Sequence, residues 1–263
     1  MTRVIIAGAT GWAGSALARG VAAASDLSLV SAIARRAAGR SLGDALGDPS
    51  ITAQVFAGAK DALAAGGDVF VEYTLPDTAR ANIEAALDAG LHVVVGTSGL
   101  TADDYAAIDR RARDRGRAVL ACGNFALTAV LLMRFACEAA KLIESFEVID
   151  YGKLHKPDAP SGTGRELAAR LGAIRTPATG HTTSGEPAAR GATLDGVPVH
   201  SMRLPGFVSS VEVVFGQDGE RLHLRHESTG SAAPYVAGGL LAIRRVASLA
   251  PGLHRGLDRV LDL

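Results

Sequence analysis

The chain has 263 residues, 48% of them hydrophobic and 21% charged, with Lys and Arg together equal in number to Asp and Glu. One large or two smaller domains are expected, and no basic footprint points to nucleic acid. No apolar run reaches the roughly 18 residues of a membrane span, the opening MTRVIIAGATG enters a strand directly with no room for a signal peptide, and two cysteines, Cys122 and Cys137, fit a reducing cytoplasm better than a disulfide framework.

The run RVIIAG (3–8) is short, β-branched and uninterrupted, as suits a strand buried on both faces of a parallel sheet. Helical spacing follows over 14–24, then a strand over 27–34, a short strand over 53–57, a short helix over 60–66 and a strand over 68–74. Residues 76–90 form a helix with Pro near its start and Gly at its end. A strand over 92–97, a helix over 101–116 capped by Thr101 and a strand over 117–123 complete the alternation. The pattern predicts an α/β domain over 1–125, a Rossmann-type doubly wound parallel sheet.

After residue 124 the rhythm changes. A long helix over 127–145, a half-exposed strand over 146–155, a loop over 176–195, and strands over 197–204, 210–216 and 220–228 predict an α+β domain over 126–233 with a mostly antiparallel sheet. The sequence Gln217-Asp218-Gly219 is a hairpin turn signal. A final helix over 234–250 packs on either domain, so that residues 234–263 can complete the first one.

The loop GATGWAG (8–14) lies between the first strand and the first helix. Gly8, Gly11 and Gly14 let the backbone approach a pyrophosphate whose charge meets the helix N-terminus. With Thr10, Trp12 and Ala13 they make a dinucleotide site, the alternative being a tight turn with no ligand. Trp12 either packs over the cofactor or fills core, and core is favoured. A site for NADH places Asp or Glu at the end of the second strand. Here Ala34 stands there, and Arg35, Arg36 and Arg40 follow. Arginines hold a 2′-phosphate that an acid would repel, so NADPH is favoured over NADH, against the bland reading of a solvated basic loop.

Thr74, Gly96, Thr97, Ser98 and Gly99 fall at the carboxyl edge of the sheet, where small residues let a flat nicotinamide lie against backbone. Asn124 and Phe125 follow the next strand at the same edge. Asn124 binds a carboxamide or simply braces its loop.

The stretch KPDAPSGTG (156–164) precedes RELAARL (165–171). Pro160 blocks helix before it and Ser161 can cap. Ser161, Gly162 and Thr163 would then present N–H groups and two hydroxyls at a positive helix end, a carboxylate or phosphate cradle with Lys156 beside it. The competing reading is an ordinary Ser-capped helix.

This stretch resembles the motif E-x-H-H-x-x-K-x-D-A-P-S-G-T-A of the dihydrodipicolinate reductase family, NAD(P)H enzymes of lysine biosynthesis. The likeness extends to GATGWAG (8–14), EYTLP (72–76), VVGTSGL (94–100), GNFA (123–126) and VVFGQDGERLHLRH (213–226). It implies an N-terminal dinucleotide domain, a C-terminal domain with substrate and tetramer contacts, and hydride transfer to a cyclic imine dicarboxylate. It places Lys156, Ser161, Gly162 and Thr163 at the substrate, while His155, at a spacing where the family varies, orients a loop or contacts substrate.

The departures are specific. Where the family has paired histidines the chain has Gly152 and Lys153. The family's G-E-H is Ser209-Ser210-Val211, its late S-S-R lies in STGSAAPY (228–235) without arginine, its phosphate-loop arginine is Trp12, and the last Ser of P-N-F-S is Ala126. An imine accepts hydride readily only when protonated or strongly polarised, work to which the histidines are suited. Their absence leaves Lys156 and Lys153 as candidate catalytic groups, or else a substrate that enters as a preformed iminium. The sequence therefore points to reduction of a carboxylate-bearing imine whose identity differs from the family's, with the family's own reaction as the alternative. A non-catalytic NADPH sensor and an amine dehydrogenase stand behind these. Cys122 is read as a small apolar residue rather than a nucleophile. His223 and His226, three apart in a strand, point to opposite faces, and no metal site is expected.

Overall fold

The computed structural model describes residues 1–178 and 184–261. The chain divides into two compact units, residues 1–126 with 232–263, and residues 127–231.

The first unit is built on the expected alternation. In order come β1 (Thr2–Ala7), α1 (Trp12–Ala23), β2 (Leu27–Ile33), α2 (Leu42–Leu46), β3 (Gln54–Phe56), α3 (Ala59–Leu63), β4 (Val69–Glu72), α4 (Pro76–Asp88), β5 (His92–Val95), α5 (Ala102–Asp114) and β6 (Ala118–Ala121). Thr101 caps α5 in a reciprocal box with Asp104, which closes two orphan donors at once. Ile5, Ala7, Phe70, Val93, Val95 and Val119 pack with Ile83, Leu87 and Ile108 in one apolar core. Alternate residues Val4, Ile6, Val71, Val94 and Leu120 are equally buried, which is why these strands read as unbroken apolar runs.

The second unit contains α6 (Leu127–Ala140), β7 (Ser145–Gly152), α7 (Gly162–Gly172), β8 (Ala192–Leu194), β9 (Val197–Arg203), β10 (Ser209–Gln217) and β11 (Glu220–Ser228). Its five-stranded sheet has the order β11-β10-β7-β9-β8, antiparallel except where β7 runs parallel to β9. Phe146, Val148, Val211, Val213 and Phe215 on the sheet pack with Leu132 and Met133 of α6 and Leu167 and Leu171 of α7.

The chain returns to the first unit through α8 (Ala233–Arg245) and β12 (Gly252–Arg255). The parallel sheet thus has seven strands in the order β12-β6-β5-β4-β1-β2-β3. Four expectations need correction. β12 was not foreseen, because four residues leading with glycine carry no periodic signal. α2 is likewise too short to show one. The helix expected to residue 145 stops at Ala140, and Ser145 already pairs with Gly216 in the sheet. Within the stretch read as loop, residues 192–194 form β8; residues 179–183 of it lie outside the described residues. No helix among the described residues is long and apolar enough to cross a membrane.

Candidate active site

At the end of β1 the chain turns sharply. Gly8 adopts φ +78°, and a Cβ there would lie 2.3 Å from the Tyr73 carbonyl oxygen. A Cβ on Gly14 would lie 2.1 Å from the Gly8 carbonyl oxygen, so the helix start and the turn touch backbone to backbone. Gly11 donates to the Gly8 carbonyl at 2.9 Å and precedes α1 with no side-chain cap. Thr10, Gly11 and Trp12 are exposed and Ala13 is partly so. The first turn of α1 therefore offers backbone N–H groups to an anion, and the residues fit the pyrophosphate of a dinucleotide. Trp12 corrects the core reading. It is 56% exposed and meets the Tyr235 ring edge-on at 5.5 Å. Arg35 and Arg36 are exposed on a short 3₁₀ turn just after β2, with Ala34 between the strand and the turn.

The next two strand ends are organised by an acid that sequence reasoning passed over. Glu72 is wholly buried at the end of β4. Its carboxylate accepts the Thr74 N–H at 2.6 Å, the Thr74 hydroxyl, the Asn82 amide at 2.9 Å and the Thr97 hydroxyl at 3.2 Å. Burial pushes its carboxyl up, and the bonds from Thr74, Asn82 and Thr97 offset this only in part. Thr74 and Thr97 are thus turned onto Glu72 and set the paths of the loops that follow. An acid closing an apolar strand was the available signal. A Cβ on Gly96 would fall 2.1 Å from the Tyr73 ring, and Gly99 takes φ +93°. Tyr73 packs on Phe125 with centroids 5.7 Å apart, and burial drives its hydroxyl well above the ordinary range. Asn124 is buried and its Oδ1 accepts the Ala126 N–H at 2.7 Å, so it does brace its loop.

In the second unit the cradle has a more constrained geometry than its sequence suggested. Ser161 caps α7, accepting the Gly164 N–H at 3.1 Å. Its own N–H donates at 3.0 Å to Asp150, and its hydroxyl donates to the same carboxylate. Ser161 is therefore engaged inward rather than presenting a free N–H and hydroxyl, a correction the sequence concealed because Asp150 lies eleven residues away on β7. Gly162 is exposed at the first position of α7 and Thr163 is buried. Lys156 is half-buried and pairs with Asp158. Burial pushes the Asp158 carboxyl up, but the Lys156 ammonium outweighs it, aided by Arg203, and holds the group below its usual range. Arg203 binds Asp150 at 2.6 Å and the Asp158 carbonyl at 2.7 Å. Lys153 and His155 are exposed.

On the sheet nearby, Glu212 accepts the Tyr151 hydroxyl at 2.8 Å and lies 2.9 Å from His223 Nδ1. Burial, then the bond to Glu212, raises the Tyr151 hydroxyl to about 12. His226 is buried against Thr128 at 2.9 Å, while His223 lies half-exposed beside Glu212, so the two do part to opposite faces. Cys122 is buried. Among the described residues no cluster of His, Cys, Asp and Glu could hold a metal ion. A cavity of about 420 Å³ opens at the amino-terminal edge of the parallel sheet, lined by Thr2, Asp68, His92, Arg117 and Arg244. It lies across the sheet from the glycine turn and includes none of the residues above.

Residues 2–125 match the family "Dihydrodipicolinate reductase, N-terminus" and residues 128–261 match "Dihydrodipicolinate reductase, C-terminus". The 4-hydroxy-tetrahydrodipicolinate reductase of Mycobacterium sp. (strain JLS) is 40% identical over 265 residues, covering 99% of each chain. That of Beutenbergia cavernae is 40% identical over 267 residues with the same coverage. Dipicolinate-bound dihydrodipicolinate reductase from Paenisporosarcina sp. TG-14 superposes with a TM-score of 0.84 at 29% identity, over 99% of this chain and all of that one. Amine dehydrogenase from Mycobacterium smegmatis shares the fold, with a TM-score of 0.71 at 16% identity over 98% of this chain and 95% of that one. The chain belongs to the dihydrodipicolinate reductase family, NAD(P)H-dependent oxidoreductases that act on a C=N bond.

Proposed function

We propose that this chain reduces 4-hydroxy-tetrahydrodipicolinate with NADPH. The observation that carries the reading is full-length 40% identity to reductases of that name, with Lys156 and the Ser161-Gly162-Thr163 helix start retained. The alternative drawn from the sequence, the family's own reaction, is therefore preferred to the altered substrate.

When bound, the nicotinamide supplies the hydride. The chain's own residues do the rest. Gly8, Thr10, Gly11, Trp12, Ala13 and Gly14 hold the pyrophosphate on the amino end of α1. Arg35 and Arg36 hold the 2′-phosphate as charge-assisted donors. Gly96, Thr97, Ser98 and Gly99, with Thr74, Asn124 and Phe125, line the nicotinamide, on loops that Glu72 fixes. In the second unit, Lys156 and the N–H groups of Gly162 and Thr163 hold a substrate carboxylate, and Lys153 and His155 stand at its rim. Reduction also needs a proton on nitrogen, which a lysine ammonium or a preformed iminium provides. We place the protein in the cytoplasm as a homotetramer, which light scattering on the purified protein tests.

A second reading, a different cyclic imino acid, is favoured by Gly152, Lys153, Ser209-Ser210-Val211 and the absence of arginine over 228–235. NADPH oxidation measured against 4-hydroxy-tetrahydrodipicolinate beside a panel of cyclic and acyclic imino acids decides. Turnover of the former alone supports the first reading, turnover of another imino acid alone supports the second, and turnover of none removes both.

A further inference from the structure

Gly152 is the last residue of β7 and lies among extended strand residues, outside the positive-φ glycines, so its backbone does not require glycine. Space does. A Cβ there would fall 3.0 Å from Lys156 Cδ and 3.1 Å from both Cζ and Nε of Arg203. Gly152 and Arg203 are register partners on the parallel strands β7 and β9. A strand glycine with no conformational duty marks a close approach of another group, and here that group is a guanidinium.

Arg203 makes a fork between three segments. One terminal nitrogen donates to the Asp150 carboxylate at 2.6 Å and the Asp158 carbonyl at 2.7 Å. The other donates to the carbonyls of Met202 at 2.8 Å and Asp150 at 3.2 Å. Asp150, fully buried, passes the tie to both the N–H and the hydroxyl of Ser161. The segment between Lys156 and Ser161 is thus held at Asp158 and at Ser161 by one ion pair. A planar fork of fixed geometry can do this, and a single ammonium cannot.

We propose that Arg203 is the positioning residue of the Lys156–Ser161 segment, and that position 152 carries no side chain so that the guanidinium and the Lys156 stem can share the space over the strand. The proposal deepens the functional reading, since it assumes that Lys156 meets substrate. Arg203 acts through that segment and does not itself touch substrate.

The test uses the intact protein with Arg203→Lys, Gly152→Leu, Arg203→Met, and the double variant Asp150→Asn with Arg203→Met. Amide hydrogen exchange over residues 153–164 is read without any ligand, followed by melting temperature, NADPH affinity by fluorescence, and kcat and KM. Arg203→Lys and Gly152→Leu are expected to speed exchange over the segment and to lower kcat/KM by about 10²-fold, since small misplacements of a binding group carry losses of that order, with NADPH affinity unchanged. The double variant removes the unpaired buried carboxylate, so it should regain melting temperature lost in Arg203→Met without regaining kcat/KM. Unchanged exchange and kcat/KM in Arg203→Lys, or recovery of kcat/KM together with stability in the double variant, would overturn the proposal. If the wild type turns over no imino acid while exchange responds as expected, the functional reading fails and the positioning role stands.

Discussion

The Glu72 carboxylate accepts the Thr97 hydroxyl at 3.2 Å, joining the ends of two neighbouring parallel strands, β4 and β5. Because the same carboxyl group also holds Thr74 and Asn82, one buried side chain fixes both loops assigned to the nicotinamide. Its carboxyl is raised by burial above the ordinary value of 4.5. The folded state then binds the proton more tightly than the unfolded chain. The resulting stability is fully present below 4.5 and is lost as pH rises through the raised folded value. Glu72→Gln cannot ionise, and an Asn82 flip would satisfy its amide. The wild-type minus variant difference in urea-unfolding free energy should therefore fall as pH rises through that window. A flat difference would remove Glu72 as its source. Glu72→Ala instead strands several donors and should cost about 3 kcal/mol.

Among the described residues no acidic side chain is fixed to Arg35 or Arg36, which stand exposed just after β2. Changing both to Ala should weaken NADPH by about 10- to 100-fold, the worth of one or two charge-assisted hydrogen bonds. NADH affinity should be nearly unchanged. Equal loss for both nucleotides in a titration would refute the assignment to the 2′-phosphate.

For Lys156→Ala the expected result is a fall in turnover of about 10²-fold or more, with NADPH still bound at wild-type affinity. Asp158 would lose its ion pair, so melting temperature is measured alongside. Near-normal turnover would place the substrate elsewhere.

The first unit was readable because its central strands β1, β4, β5 and β6 are buried on both faces and α4 and α5 carry their own start signals in Pro76 and Thr101. The glycine turn was readable for the same local reason: strand, Gly8, Gly11, Gly14 and helix are contiguous. What escaped is long-range. Glu72 gathers partners up to 25 residues away, and Arg203 reaches Asp150 across 53. Ser161 looked free only because its partner Asp150 sits eleven residues away on β7. Gly152 read as a lost histidine, whereas its structural meaning is the guanidinium pressed against it, which no local pattern encodes.

Trp12 offers a direct readout of the nucleotide site. It is the sole tryptophan of the chain, opens α1 beside the glycine turn and is 56% exposed. Its emission therefore carries no background from other indoles. Absorbance of the reduced nicotinamide overlaps tryptophan emission, so NADPH bound at residues 8–14 should quench it saturably. Gly14→Ala provides the matched control. Its methyl would sit 2.1 Å from the Gly8 carbonyl oxygen, backbone that cannot swing aside as a side-chain tip can. The turn must then move, at a cost of about 1–3 kcal/mol in stability, and the quench should be lost while Trp12 itself is intact. Undiminished, saturable quenching in Gly14→Ala would mean that the dinucleotide does not use this turn.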